Sequence, residues 1–343
     1  MRLPWQAGTP TVNLALQGGG AHGAFTWGVL DALLEDGRLA FDGVSGTSAG
    51  AMNAVVLAHG LMTGGREGAR LALRTFWTAV AESLPFEIAL PAADGQGFRL
   101  NPAMRLALQW SHYFAPNQLN PFDVNPLRDI LHRQVDFDAL RSASPVRLFV
   151  ATTEANTGRL RLFRTHQVGL EATLASACLP SLHHSVLIDG EPHWDGGYAA
   201  NPAIYPLLLE GPVRDLMLVL LAPLRHGAMP ASAQDIRHRS MELAFNATFL
   251  REMRMFGHLR ARAQDIPWWR RGPLERRLAG ARFHLIEGGQ ALQQMGEGLQ
   301  AAAGLRYFEA LCALGREHAA RWMREHRASL GERSTVDLNG LFG

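Results

Sequence analysis

Gly46-Thr47-Ser48-Ala49-Gly50 follows a short apolar segment that ends at Val44 and leads into Ala51-Met52-Asn53-Ala54-Val55-Val56-Leu57, a helix-like run. Strand, sharp turn and helix in that order are the sequence form of a nucleophile elbow, which presents one hydroxyl, here Ser48, above the end of a sheet. Gly46 and Gly50 serve the turn, because a side chain at either place would meet neighbouring backbone. G-x-S-x-G arises readily by chance in a chain with 35 glycines, so its meaning depends on what surrounds it.

Upstream, Val12-Asn13-Leu14-Ala15-Leu16 reads as a buried strand, Gln17-Gly18-Gly19-Gly20-Ala21-His22-Gly23 as a glycine loop, and Ala24 to Glu35 as a helix closed near Gly37. Backbone N–H groups at such a loop and helix start point outward and can bind a phosphate or a developing oxyanion. A P-loop is excluded, because it needs Gly-Lys and all 33 basic residues of this chain are arginines. Gly18, Gly20 and Gly23 do satisfy the glycine part of a dinucleotide fingerprint, and Asp42 stands near the distance at which its acidic residue is expected. Nucleotide binding therefore stays open at this point as a non-catalytic alternative.

Far downstream, Ser185-Val186-Leu187-Ile188 leads to Asp189-Gly190, a two-residue hairpin turn, and Glu191-Pro192-His193-Trp194 returns into Asp195-Gly196-Gly197. An aspartate at a strand end followed by two glycines can approach another loop closely. A nucleophilic serine needs a base, and Asp195 is the candidate.

With these three elements in place the chain resembles the patatin-like phospholipases, serine acyl hydrolases that use a Ser-Asp dyad. The resemblance rests on Gly18 to Gly23 as oxyanion loop, Gly46 to Gly50 as elbow and Asp195-Gly196-Gly197 as dyad loop, in the family's order, with Ala175-Ser176-Ala177-Cys178-Leu179-Pro180 and Asn201-Pro202 as further matches. It covers roughly residues 10 to 225. It implies that Asp195 takes the proton of Ser48 as the hydroxyl attacks an ester carbonyl, while amides of the loop Gly18, Gly19, Gly20, Ala21, His22 and Gly23 hold the oxyanion. An ordinary carboxylate of pKa about 4 is poorly matched to a serine hydroxyl, so such a dyad would lean on the oxyanion hole, where one donor is worth about 3 kcal/mol. It also implies a three-layer α/β fold with a mainly parallel central sheet, a helical insertion and a helical C-terminal region. An acyltransferase or thioesterase could use the same site. Two departures stand out. His22 occupies a place where the family usually has Arg or Lys, which would make help from that side chain pH dependent near about 6.5. Ser181-Leu182-His183-His184 follows Pro180 where the family is apolar and aromatic.

Fourteen histidines leave room for a conventional triad, with His226, His238, His258 and His284 following Asp195 in the required chain order. His183-His184 is no metal site by itself, since adjacent residues of an extended segment point to opposite faces. No metal or cofactor is expected. Cys178 and Cys312 lie in apolar surroundings without framework spacing and read as buried free thiols.

The length allows one large α/β domain with an appendage, and the net charge is only +2. Met1 to Gln6 shows no apolar signal region and the longest apolar run, Leu216 to Pro223, is far short of the roughly twenty residues needed to cross a bilayer. The expectation is a cytoplasmic protein, peripheral at most to the inner face of the membrane. A core over 10–225 contains a proline-rich stretch, 85–126, with Trp110, Tyr113, Phe114 and Phe122, which reads either as a lid or as a helical cover completing the core. In the remainder, 226–343, the segment from Arg237 to Arg282 holds eleven arginines against four acids. There Met241, Phe245, Phe249, Met253 and Phe256 fall near one helical face, followed by Pro267-Trp268-Trp269-Arg270-Arg271. Packing of that helix on the core, contact with an anionic membrane surface, and a homodimer interface are the three readings. No nucleic-acid module is present. The partner expected first is an acyl lipid substrate.

Overall fold

The computed structural model describes residues 9–83, 89–91, 98–100, 120, 123–227, 229–295 and 304–343. Alternation along its central strands sorts side chains onto two faces, as the period of two requires. Strand β1 (Thr11–Leu16) sends Leu14 and Leu16 into one core and Ala15 into another. The division repeats in β5 (Arg147–Glu154), with Leu148 and Val150 against Phe149 and Ala151, and in β9 (Asp215–Leu220), with Met217 and Val219 against Leu216, Leu218 and Leu220. A sheet buried on both faces needs helices on both, and the result is three layers.

Among the described residues the sheet has eight strands, in the order β10–β9–β1–β2–β5–β8–β7, with β6 (Leu160–Arg164) also on β5. Strands β10 (Arg282–Glu287), β9, β1, β2 (Ala40–Gly46) and β5 run parallel, while at one side β6 and β8 (Glu191–Asp195) pair antiparallel with β5, and β7 (Val186–Ile188) pairs antiparallel with β8. Helices α1 (Gly23–Asp36) and α2 (Ala49–Glu82) cover one face. Gly37 ends α1 in the left-handed conformation, as its sequence position predicts. The connection between β7 and β8 is the expected tight turn, with Asp189 at φ 54 and Gly190 at φ 83.

The lid or cover expected over 85–126, including Trp110, Tyr113, Phe114 and Phe122, lies almost wholly outside the described residues. What is described there is a short antiparallel ribbon of β3 (Ala89–Pro91) and β4 (Phe98–Leu100), and then α3 (Pro126–Gln134) and α4 (Phe137–Ala143). The chain then continues through α5 (Leu170–Ser176) and α6 (Tyr205–Leu209).

The C-terminal part is woven into the same sheet. After β9 come α7 (Ala233–Asp265), α8 (Pro273–Ala279), strand β10, α9 (Gly289–Gln294), α10 (Leu305–His326) and α11 (Leu338–Phe342). Helices α1 and α10 meet backbone to backbone: a Cβ on Gly28 would stand 2.0 Å from the Cys312 carbonyl oxygen, and one on Gly315 would stand 2.1 Å from that of Phe25. Such distances leave no room for any side chain but hydrogen. Ser334 and Thr335 bind β10: Ser334 Oγ accepts from the Phe283 amide and Thr335 Oγ1 meets His284 Nδ1. No helix among the described residues is long and apolar enough to cross a membrane. Cys178 and Cys312 are buried free thiols, as expected.

Candidate active site

Ser48 sits between β2 and α2 with φ 55 and ψ −125, a conformation that a non-glycine residue adopts only at a cost of order 1–3 kcal/mol. The glycines around it meet the surrounding backbone directly. A Cβ on Gly46 would lie 2.4 Å from the Gly50 carbonyl oxygen, and one on Gly50 would lie 2.2 Å from that of Leu16. The turn is pressed against the end of β1, which brings the glycine loop to the serine. A Cβ on Gly18 would stand 2.8 Å from Ser48 Cβ. Helix α2 starts at Ala49, so its positive end lies at Ser48.

The glycine loop divides its amides. Gly18 N–H donates to Asn201 Oδ1 at 2.7 Å, so that amide is spent inside the protein and is not the oxyanion donor expected of it. The His22 amide is returned to the Gly19 carbonyl at 3.2 Å, and the Gly23 amide closes the following turn. Gly19, Gly20 and Ala21 amides donate to no partner among the described residues, as befits the first turn of a helix start. Gly20 takes φ 55 to aim this turn. The His22 side chain is buried.

Asp195 ends β8 opposite Thr152 of β5 and is fully buried. Its backbone is fixed at both ends: the amide donates to the Cys178 carbonyl at 2.8 Å and the carbonyl accepts from Thr153 Oγ1 at 2.8 Å. Oδ1 accepts from the Gly197 amide at 2.8 Å. The two glycines that follow are required by contact, because a Cβ on Gly196 would lie 2.2 Å from the Ala151 carbonyl oxygen and one on Gly197 would lie 2.1 Å from the Phe245 ring. Burial dominates the electrostatics of the carboxyl and pushes its pKa up to about 7, against smaller downward pulls from the Gly197 amide and the Ser48 hydroxyl. The Ser48 hydroxyl is near enough to exert that pull, but the contact stops short of a formed hydrogen bond and leaves the buried Oδ2 without a partner. Resting enzymes often hold such contacts long. The ordinary carboxylate pKa expected from the sequence does not hold: desolvation brings this carboxyl toward neutrality, where proton transfer from a hydroxyl would be better matched.

Among the described side chains, none of the histidines that could have made a triad hydrogen-bonds to Asp195. His284, within β10, is buried against Asp215 at 3.0 Å. His226 is held between Glu242 at 3.0 Å and Gln293 at 2.9 Å, and His258 is exposed on α7. The His238 side chain is outside the described residues. His184 Nε2 meets the Asn120 carbonyl at 2.9 Å rather than a metal ligand set. The acidic residue of the dinucleotide reading is also engaged elsewhere, since Asp42 pairs with Arg147.

A model of the patatin-like phospholipases matches residues 14–208, more than half of the chain. The chain belongs to the patatin-like phospholipase family. Membership of this family places it among the lipid acyl hydrolases in general, and the matched span contains the glycine loop, Ser48 and Asp195. Among solved structures, that of VipD from Legionella pneumophila is similar at 17% identity, over 93% of this chain and 67% of the other, with a TM-score of 0.44. A search of the curated proteins found no match.

Two residues beside the patatin-like site carry roles that sequence spacing did not assign. Ser176, at the end of α5, accepts the Ser48 amide on its Oγ at 2.9 Å and is itself buried. Asn201 holds the Gly18 amide, as described above. Both lie in stretches quoted as family matches, which is the one signal that pointed at them. Gln17, just before the loop, is a third: its Oε1 accepts from the Leu221 and Ala222 amides at 2.7 and 2.9 Å, and its Nε2 donates to Asn246 Oδ1 of α7 at 2.8 Å.

Proposed function

We propose that the protein is a serine lipid acyl hydrolase, a phospholipase A or esterase, that cleaves acyl ester bonds through Ser48 and Asp195. The observation that supports this reading is the fully buried Asp195 carboxyl, whose Oδ2 has no partner and whose charge the Ser48 hydroxyl is near enough to influence. Asp195 accepts the hydroxyl proton as Ser48 Oγ bonds to the ester carbonyl carbon. The oxyanion so formed is held by the Gly19 and Gly20 amides, with the positive end of α2 adding to the field. Collapse breaks the bond to the alcohol, which leaves with the proton from Asp195. Water then attacks the acyl-serine, Asp195 takes the water's proton and returns it to Ser48 Oγ, and the fatty acid departs.

The test is turnover of p-nitrophenyl esters of increasing acyl length by the parent and by Ser48→Ala. Loss of at least a thousandfold in the variant, from removing the nucleophile, is expected. Equal rates in the two proteins would refute the assignment.

A pH profile tests the base separately. Only ionised Asp195 can accept a proton, and its pKa is raised to about 7. Below that value kcat/KM is expected to fall tenfold per pH unit, with a plateau above it. An acid limb near pH 4 would show that burial does not hold the carboxyl as described.

A further inference from the structure

Helix α7 is apolar on two sides. Phe249, Met253, Phe256 and Ala263 enter the core beneath the sheet, which is the packing face the sequence suggested. Met241 of that predicted face is instead exposed. A second apolar line runs along the outside: Ile236, Leu243 and Leu250 recur every seven residues, with Ile236 50% and Leu243 52% exposed. Beyond the end of the helix, Trp268 and Trp269 are 73% and 69% exposed. A helix that packs by one face has no need of a second apolar one.

The charges around this surface select its occupant. Arg237, Arg251, Arg262 and Arg270 are exposed and form no ion pair among the described residues. Arg70, by contrast, is held by Asp31, Glu35 and Glu67. Of the segment's acids, Glu242 is bound to Arg239, and Glu252 is turned inward to accept the Ile204 and Tyr205 amides. Within the segment this leaves Asp265 and Glu275, with Asp235 in the first turn of α7, against the four exposed arginines. A second copy of the chain docking by the same face would bring like charges together. An anionic lipid surface takes both the arginines and the apolar line, and tryptophan suits the headgroup level.

We infer that the outer face of α7 docks on an anionic lipid bilayer, with Trp268 and Trp269 anchoring its far end. The inference rests on the proposed lipid hydrolase in one respect: the substrate gives the docking its purpose. The same helix places Phe245 against Gly197 and Asn246 against Gln17. A bilayer seated on α7 would therefore lie about one helix diameter, roughly 10 Å, from both loops of the candidate site.

The experiment is co-sedimentation with vesicles of phosphatidylcholine alone and of phosphatidylcholine with phosphatidylglycerol, with p-nitrophenyl butyrate turnover and thermal melting measured alongside. The parent and Ser48→Ala are expected to bind the anionic vesicles equally, to bind neutral ones at least tenfold more weakly, and to release as salt rises. Leu243→Glu with Leu250→Glu is expected to lower the partition at least tenfold, and Trp268→Ala with Trp269→Ala at least threefold. Both double variants should melt as the parent does and keep its butyrate rate. Equal binding to the two vesicle types, or unchanged binding by the Leu243 and Leu250 variant, would overturn the docking face. Unchanged binding by the tryptophan variant would overturn the anchor. A parent dimer that the Leu243 and Leu250 variant converts to monomer would show a second copy to be the occupant. Vesicle binding as expected without ester turnover in any protein would leave the docking supported and count against the hydrolase alone.

Discussion

Asp195→Asn is expected to lose at least a thousandfold in kcat/KM while becoming more heat-stable than the parent above pH 7. The two effects share one cause. Asn cannot take the Ser48 proton, and a general base contributes about 10²–10⁴ in rate. The same substitution removes a charge that is costly to bury. The folded carboxyl has a pKa of about 7, whereas the unfolded chain would titrate near 3.9. Below the unfolded value both states are protonated and the carboxyl costs nothing. Between the two values the native state holds a proton that the unfolded state has released, so stability falls as pH rises, and above the folded value the loss is complete. Three pKa units correspond to about 4 kcal/mol. The Asn carbonyl can keep the Gly197 amide, and its NH₂ can donate to the Ser48 hydroxyl. Melting curves at pH 4 and pH 8 provide the check: near-equal midpoints at pH 4 and a gain of several degrees for the variant at pH 8. A variant less stable than the parent at pH 8 would show that Asp195 is not strained by burial.

The second large effect is expected in the glycine loop, and it should fall unequally on neighbouring positions. A Cβ at Gly18 would lie 2.7 Å from the Thr47 carbonyl oxygen and 2.8 Å from Ser48 Cβ, so the loop or the serine must move. Displacement of a reacting group by about 1 Å can cost a hundredfold. Gly18→Ala is therefore expected to reduce kcat/KM by at least that factor. At Gly19 the nearest atom is Leu221 Cδ1 at 2.9 Å, the end of a flexible side chain that can turn aside. Gly19→Ala keeps its amide and should stay within about tenfold of the parent, since a modest core rearrangement costs about 1 kcal/mol. Steady-state kinetics on one soluble ester compares the two. If the order were reversed, the loop would not stand against Ser48 as described.

Much of the architecture was legible because it is written locally. The elbow around Ser48, the loop from Gly18 to Gly23, the helix closed at Gly37 and the hairpin at Asp189-Gly190 each follow from a few adjacent residues. What escaped is non-local. Asn201 takes the Gly18 amide across 183 positions, and Ser176 takes that of Ser48 across 128. Neither polar residue differs by type or spacing from any other. The raised pKa of Asp195 was also hidden, since it arises from complete burial of the carboxyl, which adjacent residues do not announce. On α7, the run of Met and Phe marked the buried side correctly from Phe249 onward. The line from Ile236 to Leu250 was not recognised, because two interleaved apolar stripes blur into one apolar helix.

The place of β9 has a bearing on how such a chain can be divided. The family match ends at residue 208, and β9 begins at Asp215, yet β9 is the strand that joins β1 to β10. A fragment trimmed to the matched span would leave β1, and with it the root of the glycine loop, as an open edge with unpaired amides. The stretch of chain that kinship recognises is thus shorter than the stretch that must fold as one cooperative body. The segments of the candidate site inherit their rigidity from a neighbour that carries none of the family's signature.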